Sequence, residues 1–170
     1  MRILPHTIAD IHNIPIITME KSDSKISKNE APEYRLLDPF IGKWNTVGSI
    51  KTDQGKPDIE IQGTDTYEWV AGGAFVLHTV NVMIGSDRKE SIEVIGFNTR
   101  SNRYPMHSYG NSGEMAEMYA EFSNGRIHFL SENLRFTGSF SDDQKILSGI
   151  WEQRKEGDWK PFMDIKLSKS

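Results

Sequence analysis

Ten short segments rich in β-branched and aromatic residues, parted by nine clusters of glycine, asparagine, aspartate and serine, leave this chain few architectures to adopt. The segments run over 42–51, 59–70, 74–84, 90–97, 103–109, 114–122, 126–131, 134–140, 145–154 and 159–167. Clusters such as Asp53-Gln54-Gly55, Gly72-Gly73, Ser123-Asn124-Gly125 and Glu156-Gly157-Asp158 supply the positive φ angles that tight hairpins need. A meander of this length is expected to close on itself, because closure leaves no edge strand free to pair with another chain. The expected fold class is all-β, an antiparallel up-and-down barrel of about ten strands.

A chain of 170 residues can bury one sizeable core, so a single folded domain over 34–170 is expected. Residues 1–33 read as a leader and linker, flexible in character. Pro5, His6, Asp10, His12 and Pro15 interrupt its apolar runs, which excludes a signal-peptide core or a membrane span, and 20–33 is polar and rich in lysine and serine. Met19, at the head of that polar stretch, is a candidate start of translation, an expectation that intact-mass measurement tests. With no export signal in view, the cytoplasm is the default location. The net charge of -4 gives no broad basic surface, which disfavours a nucleic-acid partner. Cysteine is absent, so disulfides, thiol nucleophiles and cysteine-rich zinc sites are excluded together.

Around Asp38-Pro39, the apolar residues Tyr34, Leu36, Leu37, Phe40 and Ile41 form a cluster consistent with a short helical turn that feeds the first strand and plugs one barrel end. Period-2 alternation then marks the wall. In the last segment Trp159, Pro161, Met163, Ile165 and Leu167 share one face. In the third, Val76, His78, Val80, Val82 and Ile84 oppose Phe75, Leu77, Thr79, Asn81 and Met83, and both faces carry apolar groups, so either could be the interior. Gly149 and Trp151 share a face, a small-then-large pairing that suits a barrel's taper. Eight strands already suffice to hold one small ligand, so ten should enclose a cavity, although a flattened barrel with a filled interior is the alternative.

Spaced stretches add a resemblance. They are Ile41-Gly42-Lys43-Trp44, then Gly63-Thr64-Asp65-Thr66-Tyr67-Glu68-Trp69 running into Gly72-Gly73-Ala74-Phe75, Ile95-Gly96-Phe97-Asn98, Arg135-Phe136-Thr137-Gly138-Ser139-Phe140, Gly149-Ile150-Trp151-Glu152 and Trp159-Lys160-Pro161-Phe162-Met163-Asp164-Ile165. Together the chain resembles the DUF1579 family of bacterial proteins over about 37–167, which implies a lipocalin-like, calycin-type barrel and carries over no activity. Similar ten-stranded barrels include fatty-acid-binding proteins and haem-binding nitrobindins. A nitrobindin-like site would place its axial histidine near the C-terminal strands, and no histidine follows His128. A fatty-acid carboxylate would call for a buried arginine, for which Arg135 and Arg103 are the candidates.

Candidate site residues come from the strands. Tyr67, His78, Tyr104, His107, Trp151 and Met163 are the expected ligand-binding residues, as aromatic, imidazole and thioether groups suited to lining an apolar cavity. Trp44 is assigned to closing one barrel end beside Gly42. His78, His107 and His128 fall on three strands with no compact metal spacing, so neither a metal nor another cofactor is expected. Among the strand carboxylates Glu68, Glu93, Glu117, Glu121, Glu152 and Asp164, the flanks of Glu68 and Asp164 are the most apolar. There is no Gly-x-Ser-x-Gly elbow, phosphate loop or dinucleotide fingerprint.

The sequence is read as a binding protein that holds a small, largely apolar molecule, without a membrane or nucleic-acid partner and with homo-oligomerisation open. The alternatives are a cofactor-free enzyme, with His78 or His107 as base and a tyrosine or glutamate as partner, or a structural and oligomerisation module. Catalytic residues are left unassigned, and the reading leans away from an enzyme. A histidine and a carboxylate meeting inside the cavity would favour the enzyme.

Overall fold

A computed structural model describes residues 31–52 and 56–170. The leader up to residue 30 and the Asp53-Gln54-Gly55 turn lie outside the described residues. Ten antiparallel strands form one closed barrel: β1 (Gly42–Ile50), β2 (Ile59–Val70), β3 (Phe75–Ile84), β4 (Asp87–Gly96), β5 (Tyr104–Gly110), β6 (Met115–Ser123), β7 (Arg126–Leu130), β8 (Leu134–Phe140), β9 (Ile146–Lys155) and β10 (Asp158–Lys169). Each strand pairs with its sequence neighbours, and β1 closes the ring on β10, from Trp44 opposite Lys169 to Ile50 opposite Met163. The expected all-β, lipocalin-like barrel is the fold observed. Its strand ends fall close to the turn clusters, since residues that reach positive φ at low cost end a strand wherever they gather.

One end of the barrel is sealed from within. A short helix α1 (Pro32–Arg35) and a 3₁₀ turn over Asp38–Phe40 lead into β1, and Leu37, Phe40 and Trp44 are buried there. The Phe40 ring meets Tyr67, Phe122, Phe129 and Phe140 at centroid distances of 5.0–6.3 Å. Trp44 is fully buried, and its indole Nε1–H donates to the Phe40 carbonyl at 2.6 Å, so the plug is hydrogen-bonded as well as packed. Gly42, with φ of 129°, allows the chain to swing from the plug into the wall.

The interior face follows the alternation. On β3 the burial and the cavity lining settle the open question: His78, Val80, Val82 and Ile84 point inward. On β8 and β9, the opposed residues Gly138 and Gly149 leave room for the Phe136 ring, whose atoms would lie within 2.4–2.7 Å of a Cβ at either position. A substitution at either glycine would have to move that ring.

The last strand departs from the expectation of one continuous face. Pro161 opposes Glu152 while Met163 opposes Trp151, so Phe162 is an extra residue that forms a β-bulge. Met163, Ile165 and Leu167 face inward, whereas Trp159 lies outside, beneath the guanidinium of Arg135 at 4.7 Å. Pro161 lacks the N–H that a regular ladder would use, and its strand bulges beside it.

Candidate functional site

The strands surround a partly open cavity of about 360 Å³, towards the small end of the range for ligand pockets. Its two sides differ in chemistry. Phe129, Phe136, Leu147, Trp151, Met163, Ile165 and Leu167 from β7–β10 make an apolar wall, and Met106 and Met118 extend it onto β5 and β6. The opposite wall carries the polar groups of Thr46, Asp65, Tyr67, His78, Glu93 and Ser108 from β1–β5, beside the apolar Ile61, Val80, Val82 and Ile84.

The polar wall is built by register. Tyr67 on β2 opposes His78 on β3, His78 opposes Glu93 on β4, and Glu93 opposes Ser108 on β5, so four side chains form one rung across four strands. Asp65, two residues before Tyr67 and on the same face, reaches His78 diagonally. His78 Nε2 lies 2.6 Å from Asp65 Oδ1, and His78 Nδ1 lies 3.2 Å from Glu93 Oε2. Thr46 Oγ1–H donates to the other oxygen of Asp65. The Tyr67 ring stacks on the imidazole at 3.9 Å with 6° between planes.

These contacts set the charge state of the imidazole. Burial alone would push the His78 pKa down, but the hydrogen bonds that its ring donates to Asp65 and Glu93, with their negative charges, outweigh it and raise the value from 6.5 to about 9. The imidazole is therefore an imidazolium at neutral pH. The Tyr67 hydroxyl is pushed well above its usual value, first by burial and then by the same two carboxylates, so it stays a neutral phenol.

Of the residues expected to bind a ligand, Tyr67, His78, Trp151 and Met163 line the cavity, and Tyr104 and His107 do not. Tyr104 faces inward beside the plug, packs on Phe97 and Phe122, and donates its hydroxyl to the Glu33 carbonyl at 2.7 Å. His107 alternates with the inward Met106 and Ser108 and so stands on the outer wall, 3.4 Å from Glu117. His128 also lies between two inward residues, Ile127 and Phe129, and its Nδ1 is 3.2 Å from Thr137 Oγ1. The three strand histidines do not converge, and no cluster suited to a metal ion occurs among the described residues.

The arginine candidates are on the outside too. Arg135 forms a bidentate pair with Glu152 at 2.6 and 3.0 Å, and Arg103 lies over the Tyr119 ring at 5.3 Å. Among the described residues no lysine or arginine lines the cavity. Glu68 and Asp164, singled out for their apolar flanks, are exposed. Sequence reasoning missed Asp65, although its phase on β2, shared with Ile61 and Tyr67, was a usable signal.

Comparison with known proteins supplies the family. The family model described as "Protein of unknown function (DUF1579)" matches residues 29–169. The chain belongs to the DUF1579 family. The expected resemblance thus holds, and the match spans the barrel and its plug. A search of curated proteins gives no match. Among solved structures, Rv2717c from M. tuberculosis is similar to this DUF1579 chain with a TM-score of 0.58 and 16% identity, over 82% of this chain and 98% of that one, a likeness of fold alone. The zebrafish ileal bile acid-binding protein complexed with cholic acid aligns with a TM-score of 0.35 and 14% identity, over 78% and 99% of the two chains, and at that score it supports no inference. No helix among the described residues is long and apolar enough to cross a membrane.

Proposed function

We propose that this DUF1579 protein holds one small, largely apolar molecule inside the barrel. The observation that carries the reading is the two-sided cavity: an apolar wall of aromatic, aliphatic and thioether groups faces a single polar rung, the usual composition of a site that takes an apolar body and orients it by a few polar contacts. Tyr67, His78, Trp151 and Met163 are proposed to touch the ligand, with Asp65 and Glu93 added to the polar side. Tyr104 and His107 are left out, because neither lines the cavity.

Native mass spectrometry of the purified full chain, followed by solvent extraction and mass analysis, tests this. A defined molecule released at one per chain is the expected result, and Ala116→Trp, which enlarges a small lining residue, should reduce its occupancy at least about tenfold. A protein that stays empty and takes up no apolar probe would overturn the reading.

The meeting of His78 with two carboxylates inside the cavity favours enzymatic acid–base chemistry as a second reading. It ranks lower because both imidazole nitrogens are already engaged, which leaves no free lone pair to accept a substrate proton at neutral pH. His78 would have to serve as an acid, with a carboxylate as base.

A further inference from the structure

The polar rung has a fixed proton inventory. A carboxylate oxygen accepts hydrogen bonds and does not donate them, so a proton must lie between each imidazole nitrogen and its carboxylate partner. Two protons shared among one imidazole and two carboxylates leave a net charge of minus one. The sum is the same whether both protons sit on His78 or one has moved to Asp65 or Glu93.

Among the described residues no lysine or arginine lines the cavity to balance that charge, and Thr46, Ser91 and Ser108 contribute only neutral hydroxyls. An uncompensated charge away from water is costly. Polar atoms are also left over, among them the Ser91 and Ser108 hydroxyls and two nearer the charge. The Tyr67 hydroxyl and Glu93 Oε1 have no hydrogen-bond partner among the described residues, although Tyr67 lines the cavity and is only 5% exposed. Buried polar groups without partners are rare and call for one.

We propose that the cavity selects a small apolar molecule bearing a single positive charge with N–H donors, such as a primary alkyl- or arylalkylammonium, and rejects the corresponding carboxylate. The ammonium sits against Glu93 and the Tyr67 hydroxyl, both able to accept from it. The apolar tail lies along Phe129, Phe136, Trp151 and Met163. A carboxylate head would bring a second uncompensated negative charge to the same rung. This inference rests on the container reading and names the ligand class for that site.

A matched series separates the two. Octylammonium, 1-octanol and octanoate present the same tail with charges of plus one, zero and minus one, and their affinities for the full chain can be measured by calorimetry at neutral pH. The expected order is octylammonium, then octanol, then octanoate, with at least about a tenfold preference for the cation over the anion. Glu93→Gln keeps an acceptor for His78 and removes the net charge, so the ratio of ammonium to alcohol affinity should fall. Octanoate or octanol binding as tightly as octylammonium overturns the charge selection and leaves the container standing. Failure of all three to bind overturns the container and the selection with it. Octylammonium that binds equally well to Ala116→Trp is held by the acidic surface instead, which also overturns the proposal.

Discussion

Two histidine–glutamate pairs in this barrel have the same local construction and opposite surroundings. His78 and Glu93 are directly opposed on β3 and β4, 3.2 Å apart, and His107 and Glu117 are directly opposed on β5 and β6, 3.4 Å apart. The difference is the face of the wall. The first pair has side chains 12% and 12% exposed, and the second 46% and 73%. Water screens the outer pair and solvates each partner alone, whereas the inner pair can only be balanced by its neighbours. The same two residue types therefore make a surface contact in one place and a charged element of the cavity lining in the other.

Removing each histidine should expose this contrast most strongly. His78→Leu leaves Asp65 and Glu93 buried without their shared cation, and breaking a buried pair on one side costs about 3–5 kcal/mol. His107→Leu removes an exposed pair of the kind worth about 0–1 kcal/mol. Urea denaturation of the two variants beside the parent checks this, and equal losses would show that the inner cluster is not the buried ion group described.

The pH dependence comes next in size. Below about pH 6.5 the His78 imidazole is charged in both the folded and the unfolded chain, and the stabilisation from its raised pKa is fully present. As pH rises from 6.5 to about 9 the unfolded chain gives up this proton while the folded chain keeps it, so stability falls, and above that window the contribution is gone. The loss is on the order of 3 kcal/mol. It should be absent from His78→Leu and present in His107→Leu, as read by denaturation midpoints across that range. A parent protein whose stability does not fall between those limits would contradict the imidazolium assignment.

The sequence made the strands far easier to read than the site. Strand ends are local events, set by residues such as Gly72-Gly73 and Asn124-Gly125 that reach positive φ with little strain, so they show without a partner strand in view. The polar rung is a cross-strand event, and period alone left both faces of β3 open. Asp65 was hidden by its threonine neighbours Thr64 and Thr66, which make the stretch look polar throughout, even though Ile61 and Tyr67 share its phase. The bulge at Phe162 reversed the expected side of Trp159, since whether a residue is extra depends on what opposes it. Tyr104 faces inward as its phase implies, but its hydroxyl is taken by the Glu33 carbonyl, from a part of the chain that strand alternation does not describe.

The smallest effect sharpens the comparison because it depends on salt. Neutralising one partner of each pair, Glu117→Gln outside and Glu93→Gln inside, keeps the size and a hydrogen-bond acceptor in place and alters only the charge. At the outer site the change in stability should be under about 0.5 kcal/mol at low salt and should vanish near 1 M salt, where the screening length shrinks to about 3 Å, shorter than the pair itself. At the inner site the partners are only 12% exposed and are screened much less, so whatever change Glu93→Gln produces should depend far less on salt. Denaturation curves for the four combinations of variant and salt decide it. A salt-sensitive response at Glu93 would mean that ions and water reach the rung freely, and the contrast between the two pairs would reduce to a difference in geometry.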